Sequence, residues 1–193
     1  MRRVRIVVWL MVAAALGVIS WMAFFAPEPE IQPVRIGGPF SMVNQDGQAV
    51  TEKDFAGKAM AMFFGFTFCP DICPTTLVRL TALMAGLGSD SAKVQVILVS
   101  VDPERDAPQV LKEYLRAFDS RFVGLTGTPD QLAALARNYR IYYKKVPDAS
   151  GGYTMDHSAG VFLFDTKGEF RGTLDTHEAD DSVIAKLKRL LAS

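Results

Sequence analysis

The sequence predicts an α/β fold, a three-layer sandwich of helices around a largely parallel sheet, behind one N-terminal transmembrane helix. Three observations carry this. Residues 59–68 (A-M-A-M-F-F-G-F-T-F) form a continuous apolar run, and 94–101 (V-Q-V-I-L-V-S-V) a second, the look of strands buried on both faces. Each is followed by a segment of helical character, and strands alternating with helices build a sheet through crossovers. Ahead of them, Ile6–Ala26 runs 21 residues without a charge, roughly 31 Å of helix and close to the hydrocarbon thickness of a bilayer.

Arg2, Arg3 and Arg5 precede the apolar helix and place the N-terminus in the cytoplasm by the positive-inside rule, with Trp9 and Trp21 near the two interfaces. A cleaved signal peptide is the rival reading. It fits less well, because the region is long and Ala23-Phe24-Phe25-Ala26 puts a bulky residue where a small one is usual. Pro27 to Pro33 reads as a stiff, extended spacer. The expected organisation is a cytoplasmic stub (1–5), an anchor (6–26), a linker (27–36) and one domain (37–193).

Within the domain, Phe40–Val43 and a run ending at Val50 flank Asn44-Gln45-Asp46-Gly47, a hairpin signal. After the 59–68 strand, Thr75–Leu87 has Leu77, Leu80, Leu83, Met84 and Leu87 on one side of a helix. The 94–101 strand stops at Asp102-Pro103. Pro108–Phe118 is a helix with proline in its first turn, and Asp106 reads as its cap. Phe122–Thr126 is a short strand. Thr128 caps a helix through Tyr139. Ile141–Val146 is extended and 147–152 is a loop. Ala159–Phe164 and Phe170–Leu174 make a hairpin across Asp165-Thr166-Lys167-Gly168, and Ala179–Leu191 is a closing amphipathic helix.

Charge excludes one class of partner. Three of the 21 Lys+Arg and none of the 21 Asp+Glu precede residue 27, leaving the remainder at 18 − 21 = −3. That is no footprint for nucleic acid. With an uncharged helix, no Arg- and Ser-rich transit segment and a lone dithiol beyond the membrane, the expected location is a bacterial inner membrane with the domain in the periplasm.

The two cysteines of the chain stand together in Phe68-Cys69-Pro70-Asp71-Ile72-Cys73-Pro74. Such a pair either closes a disulfide or chelates a soft metal. It follows a central strand, at the carboxyl edge where sites of α/β sheets gather. With Pro74 and Thr75 in the first helical turn, free N–H groups and the helix dipole are expected to lower the thiol pKa. Three intervening residues set the Cα atoms about 6 Å apart, near the long end of disulfide geometry. A bridge over so short a loop constrains little chain entropy, so a purely structural disulfide is disfavoured. Spacing alone does not separate redox from metal chemistry.

A third ligand is the discriminator. His157, one of two histidines, lies in Tyr153-Thr154-Met155-Asp156-His157-Ser158-Ala159-Gly160, just ahead of a buried strand. Two thiolates and an imidazole make a soft, trigonal set suited to Cu(I) that keeps Cu(II) accessible. Asp156 is placed to orient the ring or to cap an axial position. His177 reads as exposed loop. The domain methionines read as core fillers, Met155 alone being close enough to His157 to test, and Tyr139, Tyr142, Tyr143 and Tyr153 as packing.

F-C-P-D-I-C-P after an apolar strand, V-D-P-E-R-D at Val101–Asp106 and D-H-S at Asp156–Ser158, in that order, resemble the SCO/SenC family of membrane-tethered copper proteins. The resemblance spans the whole domain. It implies a thioredoxin-like three-layer sandwich with a central mixed sheet, and copper held by Cys69, Cys73 and His157. It also implies a role in maturing the CuA centre of cytochrome c oxidase subunit II, by copper delivery, thiol reduction or both. The partners so implied are subunit II and a periplasmic copper donor or thiol reductase.

The alternative is a periplasmic thiol–disulfide oxidoreductase in which Cys69 attacks and Cys73 resolves, or the reverse. Against it stand the C-x-x-x-C spacing and the lack of a proline before the Val161 strand. Outside that alternative no residue is assigned a catalytic role. A peroxiredoxin-like peroxidase wants a threonine where this chain has Phe66. Asp102–Asp106 reads as a turn and cap, and Asp71 as an acidic helix start.

Overall fold

The computed structural model describes residues 1–25, 35–148, 151–175 and 178–191. Two compact units divide the chain, Met1–Val34 and Arg35–Ser193. In the first, α1 (Arg2–Phe25) is a single helix with no buried residue. It is long and apolar enough to cross a membrane, a test that an N-terminal signal sequence also passes. The spacer read at 27–33 lies outside the described residues.

The second unit is built on β3 (Ala59–Gly65) and β4 (Val94–Ser100), every residue of which is buried. They pair in parallel from Ala59↔Val94 to Gly65↔Ser100. β5 (Val123–Thr126) extends the sheet in parallel beside β4. At its far side β1 (Ser41–Asn44) runs antiparallel, followed by β2 (Ala49–Thr51). On the other side of β3 come β8 (Val161–Phe164) and β9 (Phe170–Leu174), both antiparallel to their neighbours. The order is β2-β1-β5-β4-β3-β8-β9.

Helices cover both faces. Gly65 and Phe63 point to α2 (Ile72–Gly86), and Gly124 to α3 (Pro108–Leu115). α5 (Asp180–Leu191) joins that layer, with Ile184 against Gly86. On the opposite face Tyr139, at the end of α4 (Pro129–Tyr139), packs among Phe40, Phe64 and Phe164.

Local signals explain the elements they produce. Asn44 Oδ1 accepts from Asp46 N and Gln48 N at 3.0 and 2.9 Å, closing the first hairpin, where Gly47 takes φ +79°. Thr128 and Gln131 form a reciprocal capping box at 2.8 and 3.2 Å, with Pro129 in the first turn.

Three differences from the sequence reading matter. β3 ends at Gly65 rather than Phe68, and Phe68 is 59% exposed. α2 starts at Ile72, earlier than Thr75, because Pro74 is tolerated anywhere in a first turn whose N–H groups have no intrahelical partner. The sheet is mixed, as the family resemblance implies and not largely parallel as the strand–helix alternation suggests, because β1 and β8 run antiparallel to β5 and β3; the extended segment after α4 does not join it. That segment, β6 (Tyr143–Pro147), pairs instead with β7 (Tyr153–His157) as a separate two-stranded hairpin. Its Lys144 and Lys145 are exposed and cannot enter a sheet covered on both faces.

Candidate metal centre

The strand directions bring the two halves of the site together. β3 rises to Gly65 and the chain turns through Cys69 into α2. β8 runs the other way, with Val161 opposite Phe63. The four residues before Val161 therefore lie at the carboxyl end of β3, and His157 is among them. His157 is the last residue of β7, a strand that the sequence reading does not mark.

Cys73 is fully buried in the first turn of α2. Its Sγ lies 3.9 Å from His157 Nε2. Bonds of about 2.3 Å to sulfur and 2.0–2.1 Å to nitrogen at a trigonal angle span about 3.8 Å, so this pair is spaced to share one ion. Cys69 is half-buried and neither cysteine forms a disulfide. Its backbone N–H donates to Phe66 O at 3.3 Å, and its sulfur is close enough to disfavour charge on Cys73. Among the described residues no three Cys, His, Asp or Glu side chains form a closed metal cluster. Cys73 and His157 are at a span one ion could bridge, and Cys69 interacts with Cys73.

Burial pushes the Cys73 thiol pKa well up, reinforced by Cys69 and Asp106 and only partly offset by a hydrogen bond with the Phe66 backbone. This reverses the expectation of a thiolate favoured by the helix dipole. A dipole contributes about 0.3–1 kcal/mol at a helix end, whereas full burial shifts a pKa by up to 3–5 units. Gly65 permits the burial: a Cβ there would sit 2.9 Å from Cys73 Sγ and 2.9 Å from the Phe63 ring.

His157 is oriented by its own turn. Nδ1 lies 3.1 Å from Ser158 O, and in the tautomer that donates this bond Nε2 presents a lone pair toward Cys73. Asp156 does not orient the ring. Alternation along β7 turns Tyr153, Met155 and His157 inward and leaves Thr154 and Asp156 exposed. Phe66 and Phe63 stand edge-on to the imidazole at 5.7 and 6.4 Å between centroids. Met155 belongs to the core, with Met42, Met60, Met62 and Met84. His177 lies outside the described residues.

The V-D-P-E-R-D segment reads from the sequence as a turn and cap, and the structure gives its charged residues a different role. Asp106 does not cap α3, whose N-cap is Ala107 without a side-chain bond. Fully buried, Asp106 accepts from Thr67 N at 3.1 Å, Thr67 Oγ1 at 2.6 Å and Ser100 Oγ at 2.6 Å. It ties the cysteine turn to the end of β4. Burial raises its pKa against those hydrogen bonds. Arg105 ties on the hairpin: it pairs with buried Asp102, donates to Tyr153 O at 3.0 Å, and lies 3.8 Å over the Tyr153 ring and 4.7 Å over Phe68. Tyr153 OH donates to Asp102 at 3.0 Å, and Lys145 pairs with Glu104 at 2.6 Å. One arginine thus touches the turn that carries the cysteines and the hairpin that carries His157. No sequence signal marks these contacts except that the charged residues follow a buried strand.

Fold and site together define a class: a thioredoxin-like domain with a C-x-x-x-C pair entering its first domain helix and a histidine brought over it by an appended hairpin. Residues 28–192 match the SCO1/SenC family model, and the chain belongs to the SCO1/SenC family. It is 41% identical over 143 residues to Protein SCO1 homolog 1, mitochondrial, of Arabidopsis thaliana, covering 74% of this chain and 43% of that protein. The chain thus spans less than half the length of that relative. The structure of Bradyrhizobium japonicum ScoI with copper bound superposes with a TM-score of 0.76 at 45% identity, covering 81% of this chain and 99% of the other. BsSco, a member of the Sco family of cytochrome c oxidase assembly proteins in which a disulfide switch is identified, superposes with a TM-score of 0.64 at 26% identity, covering 82% and 95%.

Proposed function

We propose that this protein is a copper-binding assembly factor for cytochrome c oxidase, tethered by α1 to a bacterial inner membrane with its domain in the periplasm. Copper is its cargo, held by the sulfurs of Cys69 and Cys73 and by His157 Nε2. It delivers that copper to the CuA site of subunit II, keeps the thiols of that site reduced, or does both. The observation that carries the reading is the 3.9 Å approach of Cys73 Sγ to His157 Nε2, from segments 84 residues apart, in a SCO1/SenC chain. Two sulfurs and one imidazole form a soft set that selects Cu(I) over the hard cations. Loading releases the proton that burial keeps on Cys73, so uptake weakens as pH falls.

The test is an anaerobic Cu(I) titration of the reduced full chain in detergent, with His157→Ala and Cys69→Ser beside wild type. One copper per chain is expected, with each variant losing affinity by about tenfold or more. Unchanged affinity and an unchanged Cu(II) spectrum in His157→Ala would remove the three-donor site.

The unequal exposure of the thiols favours a second, compatible activity. Half-buried Cys69 attacks a partner disulfide, its thiolate forming a mixed disulfide and expelling one partner thiolate. Cys73 then gives up its proton and closes Cys69–Cys73, expelling the second. Two electrons pass to the partner, and the dithiol becomes the disulfide. Reduction of an oxidised dicysteine peptide by metal-free protein, lost in Cys69→Ser, measures it.

A further inference from the structure

The fold sorts the charges of the domain. Acidic residues favour helix N-termini and basic ones C-termini, and in this sandwich the N-termini of α2, α4 and α5 stand at the carboxyl end of β3, with Asp71, Asp130, Asp180 and Asp181. The opposite pole is basic. Lys58 precedes β3, Lys167 lies in the turn after β8, and Arg140 follows α4. The chain enters the domain at this pole: Gly37 N donates to Asn138 O at 3.0 Å, and a Cβ on Gly37 would meet Phe164 at 3.1 Å and Gly168 O at 3.8 Å. Arg35, two residues earlier, is exposed.

A cavity of about 450 Å³ opens there, lined by Lys53, Lys58, Lys167, Glu52 and Tyr139. Two nearby acids keep their charge and are outnumbered by the cations of this pole. Glu52 accepts from Phe40 N at 3.0 Å, and Asp54 accepts from Thr51 N and Oγ1 at 2.7 and 3.0 Å. Among the described residues, Arg35, Lys53, Lys58, Arg140 and Lys167 have no acidic partner; Lys58 makes one long bond of 3.5 Å to Gln95. Cations left unpaired around a cavity fit an anion. Arg35 stands nine residues (26–34) from α1 in the sequence, and anionic phospholipid is the ligand that this chain length and the charge of the cavity together favour.

We propose that this pole is a docking face for anionic phospholipid, with Lys53, Lys58 and Lys167 on the headgroup phosphates. It holds the acidic end, with Cys69, Cys73 and His157, toward soluble or membrane-borne partners. The choice of lipid as occupant rests on reading α1 as an anchor, but the test does not need α1. The ScoI structure, 99% of which this chain covers, is a domain of this extent folded by itself, so residues 35–193 serve as the probe.

Co-sedimentation is measured with vesicles of phosphatidylcholine alone and with added phosphatidylglycerol, at low and high salt. Binding is expected only to the anionic vesicles, weakening with salt. Each of Lys53→Glu, Lys58→Glu and Lys167→Glu, a change of two charges, should lower it about thirtyfold, while Lys144→Glu, on the exposed hairpin beside His157, should leave it unchanged. Thermal melts confirm that the variants fold. Equal binding to both vesicle types, or a loss in Lys144→Glu matching that of the pole variants, overturns the proposal.

Discussion

Replacing Arg105 with methionine should weaken copper binding through His157 alone, although Arg105 touches no donor atom. The guanidinium makes a charge-assisted hydrogen bond with Asp102, which is 2% exposed, donates to Tyr153 O, and lies over the rings of Tyr153 and Phe68. The charged bond contributes about 1.5–3 kcal/mol and the ring contacts about 0.5–2 kcal/mol. Solvent at the 23% exposed arginine side chain trims both. Loosening the hairpin is therefore expected to cost about 2–4 kcal/mol of stability. Only the part that holds His157 over Cys73 reaches the metal, about 1–2 kcal/mol, or roughly tenfold in affinity. The assay is a competitive Cu(I) titration on wild type, Arg105→Met, His157→Ala and the double variant. With His157 gone, Arg105→Met should cost nothing further, because the two act in one chain of contacts. An equal loss in both backgrounds would refute the reasoning and place the effect of Arg105 on the cysteine turn or on the charge of the site.

Gly65→Ala should destabilise the domain by about 1–3 kcal/mol in urea unfolding, since its Cβ would press on Cys73 Sγ and Phe63; a neutral result would mean α2 shifts freely. Asp106→Ala leaves Thr67 N and Ser100 Oγ without their acceptor and should cost about 2–4 kcal/mol, with Asp106→Asn recovering part; a loss near zero would show that water replaces the carboxylate. Alkali should unfold the protein through Cys73. The folded thiol keeps its proton above the ordinary value of 9.0 while the unfolded one loses it, so this contribution is intact below pH 9 and falls by about 1.4 kcal/mol per pH unit above it. Denaturant curves at rising pH, with Cys73→Ala as the reference lacking that slope, check the sign.

The sequence made the sheet centre and the rare ligands legible, and little of what joins them. β3 and β4 announce themselves because a strand buried on both faces has no polar side. Cys69, Cys73 and His157 stand out because the chain has only two cysteines and two histidines. β7 was harder: Tyr153, Met155 and His157 alternate with Thr154 and Asp156, a period-two signal too short to separate from a ligand loop. β6 reads as extended, and its exposed Lys144 and Lys145 are the sequence feature that keeps it out of a sheet covered on both faces. Asp106 before Ala-Pro is a sound local cap signal, overridden by Thr67, 39 residues earlier, and Ser100. Arg105 reaches Tyr153 48 residues away. Contacts of that range leave no periodicity to read.

The misplaced helix start has the largest chemical consequence. With α2 beginning at Thr75, both thiols would lie in the field of the free N–H groups and behave alike. Because it begins at Ile72, Cys73 rides on the buried face with Thr76, Leu77 and Leu80, while Cys69 stays half-exposed in the turn. The dithiol is therefore unequal by construction. A ligand or a disulfide arriving from solvent meets Cys69 first, and Cys73 commits only when it surrenders its proton. The same order serves metal uptake and thiol exchange, which is why a C-x-x-x-C pair with one buried member suits both chemistries and why the histidine, rather than the cysteine spacing, separates them.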